Sequence, residues 1–134
     1  MKIVEYAIFE LLDGLASGRI YALRAPQNVT APFVVFQRVG GERWRSINDP
    51  SGIAQVTIQI DCYASDYFTM KTLSNDVENI LDGYANTVYY GSSSPQDSVR
   101  IAGCSLQGET EILDQSDEPF LYRNTMNFLV TFEQ

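Results

Sequence analysis

The sequence predicts an α+β fold: a single mixed or mainly antiparallel sheet of about four to five strands, with two amphipathic helices packed on one face. Three observations predict it. Two segments, Ile53 to Ala64 and Phe120 to Phe132, alternate apolar and polar residues with the period of a half-buried strand. Two others repeat one apolar stripe at i, i+4, i+7, i+8 and i+11, the signature of a helix with a single buried face. The strand-like runs also follow one another rather than alternating with helices, which argues against a doubly wound parallel sheet. At 134 residues the chain is read as one domain, 1–134, with no internal repeat or linker.

Residues 3–16 form the first helix, with Val4, Ile8, Leu11, Leu12 and Leu15 on its stripe and Glu5, Glu10 and Asp13 off it. Gly14 and Gly18 suit its end. Arg19 to Leu23 is a short strand candidate, and Ala25-Pro26-Gln27-Asn28 a turn. Pro32 opens a strand through about Val39, where its missing amide proton is tolerated. The run Phe33-Val34-Val35-Phe36 suggests burial on both faces or a central position.

Gly40 to Gly52 reads as a long hairpin connection, with Asn48-Asp49-Pro50-Ser51-Gly52 as its turn chemistry. In the strand that follows, Val56, Ile58, Ile60 and Cys62 mark a buried face. The alternate residues are polar yet β-favouring, so that face meets solvent or another subunit. Ser65 or Asp66 caps the second helix, whose stripe is Leu73, Val77, Ile80, Leu81 and Tyr84. Tyr84 to Ser98 is a polar loop in which Val88-Tyr89-Tyr90 is a candidate edge strand. Val99 to Leu106 is a strand. Gly108 to Pro119 carries five acids and no base, and reads as a solvated loop or turn.

Composition removes several function classes. The chain has no histidine, so neither a Ser-His-Asp nor a Cys-His pair can exist. Asp, Glu, Lys or Tyr chemistry stays open. Two cysteines without histidine cannot build a Cys/His zinc site, and Cys62 and Cys104 read as small buried hydrophobes. No glycine-rich phosphate loop is present. The acidic loop lacks the spacing of a calcium site, so no metal and no cofactor is assigned. No apolar run approaches the ~20 residues of a membrane helix. The N-terminus acquires Glu5 too early for a signal peptide, which points to the cytoplasm of the cell that makes the protein.

Net charge is −8, unevenly placed. Residues 1–60 carry six basic and five acidic side chains, net +1; residues 61–134 carry three and twelve, net −9. This polarity suits head-to-tail contacts between unlike surfaces, although a solubilising surface has the same composition. It argues against tight binding to nucleic-acid phosphates.

The candidate interaction residues are Glu42, Arg43, Trp44, Arg45, Asn48 and Asp49. Trp44 is the only tryptophan and lies between two arginines, the residue types that anchor interfaces. Its alternative is to fold back on its own domain with an arginine stacked on it. Tyr89 and Tyr90 beside a Gly-Ser loop form a second candidate contact patch. Asp61 is unfavourable in a strand unless exposed on the polar face or bonded to the next helix. It is separated from Asp66 by an element boundary, so no paired carboxylates are read.

The order of parts resembles the small tail-terminator, or tail-completion, proteins of long-tailed bacteriophages. An amphipathic helix, a short strand and a proline lead into Pro32-Phe33-Val34-Val35-Phe36-Gln37. A hairpin leads to the Val-x-Ile-x-Ile-Asp-x-Tyr-Ala strand at Val56 to Ala64 and then a helix, and the chain ends on a strand, Tyr122 to Phe132. The likeness spans nearly the whole chain and is densest from Pro32 to Gly83; Tyr84–Ser98 and Gly108–Pro119 match no motif. It implies a non-enzymatic virion protein, made in the host cytoplasm. Six copies would form a ring at the head-proximal end of the tail tube, stop tube polymerisation and receive the head-completion or neck protein. DNA would pass through the lumen without specific binding. The likeness also allows another neck or head–tail connector component. A reading of another class is a small cellular ligand-binding module, which predicts a monomer with a pocket between helices and sheet.

Overall fold

The computed structural model describes residues 4–44, 53–91, 97–114 and 121–133, with backbone alone for 41–44 and 114. Helix α1 (Val4–Leu12) comes first, followed by a single 3-10 turn at Ala16–Gly18. Strands β1 (Ile20–Ala22), β2 (Phe33–Trp44) and β3 (Ile53–Ala64) precede helix α2 (Tyr67–Leu81). Strands β4 (Asn86–Tyr90), β5 (Asp97–Asp114) and β6 (Leu121–Glu133) complete the chain.

All six strands join one curled mixed sheet in the order β1-β2-β3-β6-β5-β4. Only β1 and β2 run parallel; the remaining neighbours are antiparallel. The fold class is as expected, but six strands exceed the four to five read from the sequence. The addition is β4, the Val88-Tyr89-Tyr90 piece, which does lie at the sheet edge.

The core lies on one face. Val56, Ile58, Ile60 and Cys62 of β3 stand opposite Val130, Phe128, Met126 and Asn124 of β6, and all are buried. Against them pack Val4, Ile8 and Leu12 of α1, and Leu73, Val77 and Leu81 of α2. The stripes read from the sequence are therefore the buried faces. Asp66 supplies the cap of α2, its carboxylate accepting from the Thr69 amide at 3.0 Å. Helix α1 stops at Leu12, earlier than expected, and further on Ala16, Ser17 and Gly18 take left-handed φ angles that an α-helix does not contain. All four residues of Phe33-Val34-Val35-Phe36 are buried, as their unbroken apolar run requires.

Two expectations about β-structure need correction. Residues 40–44 are not loop: β2 runs to Trp44, pairing Glu42, Arg43 and Trp44 with Gln55, Ala54 and Ile53. A register shift between Arg38 and Gly40 inserts one extra residue, so Gly40-Gly41 sits inside the strand instead of ending it. Residues 108–114 are not loop either. Strand β5 continues through them opposite β6, after shifts at Ile101/Gly103 and Leu106/Gly108. Their acids are tolerated because Glu109 and Glu111 are solvent-exposed, and pairing with β6 outweighs weak intrinsic strand preference.

Cys62 and Cys104 are free, buried and on different strands, the two small hydrophobes expected. Burial pushes both thiols up to about 12; a Ser74 hydrogen bond pulls Cys62 partly back. Thiolate is the reactive form, so neither should react with a maleimide at neutral pH until the chain unfolds. A thiol titration with and without denaturant checks this: two equivalents released only on unfolding is the expected result.

Candidate functional site

The hairpin residues singled out from the sequence divide in two. Glu42, Arg43 and Trp44 occupy the last three positions of β2. Arg45, Asn48 and Asp49 lie outside the described residues. The Trp-bearing segment is thus the end of a long strand, held in register with β3. On the side of β2 away from β3, β1 reaches only Val34 to Phe36. From Gln37 to Trp44 that side has no strand partner among the described residues.

Beside this edge lies a feature that sequence reasoning missed. Tyr6 and Phe9 of α1 face Ala22, Leu23, Phe36 and Gln37 across a groove of about 690 Å³. Its walls are mostly apolar, and Leu23 is 71% exposed. Val39, at the β2 irregularity, is 49% exposed. An ion pair forms part of its lining, with the Arg38 guanidinium donating to the Glu5 carboxylate at 2.6 Å. Both groups are partly solvated, so the pair contributes about 0–1 kcal/mol and more to shape than to stability. The signal was faint but present: Tyr6 and Phe9 fall off the buried stripe of α1, large apolar residues without an assigned partner.

The two tyrosines of the second patch lie on opposite faces of β4. Successive strand residues point to opposite faces. Tyr89 is exposed, whereas Tyr90 is half-buried and stacks on Tyr6 with ring centroids 5.2 Å apart. That stack ties α1 to β4, leaving Tyr89 as the surface member.

At the other side of the sheet, β4 covers β5 from Asp97 to Ile101. The end of α2 covers the next positions: the Gly83 amide donates to the Cys104 carbonyl at 2.7 Å, and the Leu106 amide donates to the Asp82 carboxylate at 3.0 Å. Beyond them, from Gln107 to Asp114, the outer side of β5 has no strand partner among the described residues. This stretch carries Glu109, Glu111 and Asp114, and Ile112 and Leu113 are each 40% exposed. Glu111 is held below the usual carboxylate range by a hydrogen bond with Tyr67 and by the Lys71 ammonium, 3.2 Å away. The hydrogen bond to Glu111, and then the Glu111 charge, raise the Lys71 ammonium above its usual value. With the carboxyl lowered and the ammonium raised, the pair is intact across neutral pH. Its contribution is lost as pH falls through the carboxyl or rises through the ammonium.

The face of the sheet opposite the helices is polar and partly buried. Tyr63 stacks on Phe33 at 4.6 Å, and the Arg123 guanidinium lies 5.9 Å from the Tyr63 ring centre. Asp61 is not exposed, against expectation, and no hydrogen bond joins it to the next helix among the described residues. It is buried, with Gln59 of its own strand donating to it at 3.2 Å. It lies between Val35 of β2 and Thr125 of β6, its register partners in the middle of the sheet.

Asn124, fully buried on the helix face, has no partner for Oδ1 among the described residues; its Nδ2 reaches Glu109 at 3.4 Å. An orphaned buried acceptor costs about 1–3 kcal/mol, and a 3.4 Å hydrogen bond recovers little of that. Asn124→Leu should therefore raise unfolding free energy by roughly 1 kcal/mol in urea denaturation; a loss of stability would mean that Oδ1 is satisfied in solution. Among the described residues no group of three His, Cys, Asp or Glu side chains is placed to hold a metal ion. No described helix is long and apolar enough to cross a membrane.

The sequence signature of one protein family, described as tail completion protein gp17, matches residues 7–132. The chain also superposes on a chain from a solved structure, "Virion of native gene transfer agent (GTA) particle". The TM-score is 0.58 and the identity 15%, covering 95% of this chain and 92% of that one. At that identity the likeness is one of fold. No curated protein matches the sequence.

Proposed function

Because the chain belongs to the tail completion protein gp17 family, we propose that it is a structural, non-enzymatic component of a phage-like virion that completes the tail. In this reading copies of the chain close into a hexameric ring on the head-proximal end of the tail tube. The ring ends tube polymerisation and presents a docking surface to the head-completion or neck protein, and DNA passes through its centre. The observation that carries the reading is the family signature, which spans nearly all of the chain. The shared fold with a chain of the gene transfer agent virion supports the same setting. So does the charge: a channel through which DNA slides is served by an acidic subunit, since each phosphate contact would retard passage.

Tails assembled with and without this chain test the reading by electron microscopy. Without it, tubes should overgrow to scattered lengths and remain unjoined to heads. Adding the purified chain should restore one length. Tubes of unchanged length that join heads normally in its absence would overturn the proposal.

A further inference from the structure

We infer that the neighbour in the assembly is a second copy of this chain docked edge to edge, the outer side of β5 in one copy pairing with the outer side of β2 in the next. The inference rests on the ring reading above and names the surfaces that would build the ring. Four observations carry it.

Among the described residues each copy has two strand edges without a strand partner, residues 37–44 and 107–114, on opposite sides of one sheet. Unpaired strand edges are templates for further pairing, and a ring is one way to remove them. The directions fit. Passing from β2 to β3, β6 and β5 reverses direction at every step, so β2 and β5 are antiparallel. Copies arranged head to tail, keeping the same face and direction, therefore bring β5 of one against β2 of the next as an antiparallel pair. Such a contact uses two different patches, the type that closes rings.

The charges fit as well. Residues 37–44 contain Arg38, Arg43 and Glu42, net +1; residues 107–114 contain Glu109, Glu111 and Asp114, net −3. Glu5 already answers Arg38 and Lys71 answers Glu111, so the contact would set an edge of net +1 against an edge of net −3. A two-fold pairing of β5 with β5 would instead set acid against acid. Apolar side chains flank both edges: Leu23, Val39 and Phe9 beside β2, Ile112 and Leu113 on β5.

The open stretches lie at opposite ends of the sheet, because Trp44 is in register with Ile53 while Asp114 is opposite Leu121. Pairing them requires each copy to be staggered along the strand direction. A stagger repeated around a ring is the shear that tilts strands in a closed barrel.

Site-directed cross-linking tests the inference. A tagged Val39→Cys chain and an untagged Ile112→Cys chain are co-expressed, each alone and together, and treated with a short bismaleimide. Residual reaction at Cys62 and Cys104 is controlled with the unsubstituted chain. Oligomer is recorded by native mass spectrometry, both free and on tail tubes. The expected result is a tagged–untagged dimer in the mixture and no cross-link in either chain alone. Cross-linking of Val39→Cys chains to one another would replace this interface with a two-fold β2 pair and overturn the inference. Closed oligomers without the mixed cross-link would overturn it while leaving the ring standing. No oligomer, free or on tubes, would remove the ring reading and this inference with it.

Discussion

Phe128→Ala is expected to destabilise the fold by about 3–5 kcal/mol, the largest effect of any single truncation considered. Phe128 has no solvent exposure. It sits in β6, the strand flanked by β3 and β5, opposite Ile58 on one side and Leu106 on the other. Its ring lies on the face covered by α1 and α2, so truncation leaves a void that two helices and three strands would have to close. Against a total stability of about 5–15 kcal/mol, that loss is a large share. In melting temperature it corresponds to a drop of roughly 10–20 °C. Phe128→Leu keeps most of the volume and should cost about 1.5 kcal/mol or less. The measurement is urea unfolding of both variants at a concentration where the oligomeric state matches the parent, since association itself stabilises. A Phe128→Ala midpoint within 1 kcal/mol of the parent would mean that the core repacks freely.

The residues that carry this prediction were legible in advance, because period is a local property. Phe128 alternates with Asn127 and Leu129 in a run whose buried members are Met126, Phe128, Val130 and Phe132. The same logic found the α1 and α2 stripes, the doubly buried start of β2 and the buried face of β3. The family resemblance, drawn from the order of these parts, agrees with the signature match over residues 7–132.

The misreadings share one physical origin: they depend on partners distant in sequence. Gly40-Gly41 looks like punctuation until β3 pairs with it and a single extra residue absorbs the mismatch. Glu109 to Asp114 looks like a solvated loop until β6 supplies a ladder for it. Asp61 looks exposed until β2 and β6 pair on either side of it and leave it buried. Of the Tyr6–Phe9–Leu23 groove the sequence carries only a faint trace, two large apolar residues off the α1 stripe, since the groove exists only where α1 meets β1 and β2. For the candidate site, sequence chose the segment around Trp44 on residue type. The structure adds that its described part is strand, not loop, and that the strand's outer side has no strand partner among the described residues.

Trp44→Ala is expected to have the second large effect, and on assembly rather than on the fold. Trp44 ends β2 opposite Ile53, at the far end of the open stretch that we propose as a subunit contact. Tryptophan is the residue type most often found to dominate an interface, and truncating such an anchor costs about 2–4 kcal/mol. That cost corresponds to weakening association by roughly 30- to 1,000-fold. The unfolding midpoint of the dissociated chain should stay within about 0.5 kcal/mol of the parent, as for a surface substitution away from the core. Ile53→Ala, a substitution on the paired inner strand, serves as the contrast: it should disturb hairpin stability before it disturbs assembly. Sedimentation velocity across a dilution series, run beside urea unfolding, separates the two. Unchanged association with a clear loss of stability would assign Trp44 to packing on its own domain, the alternative its sequence context allows. The subunit contact would then have to rest on the remaining length of the β2 edge, Gln37 to Arg43.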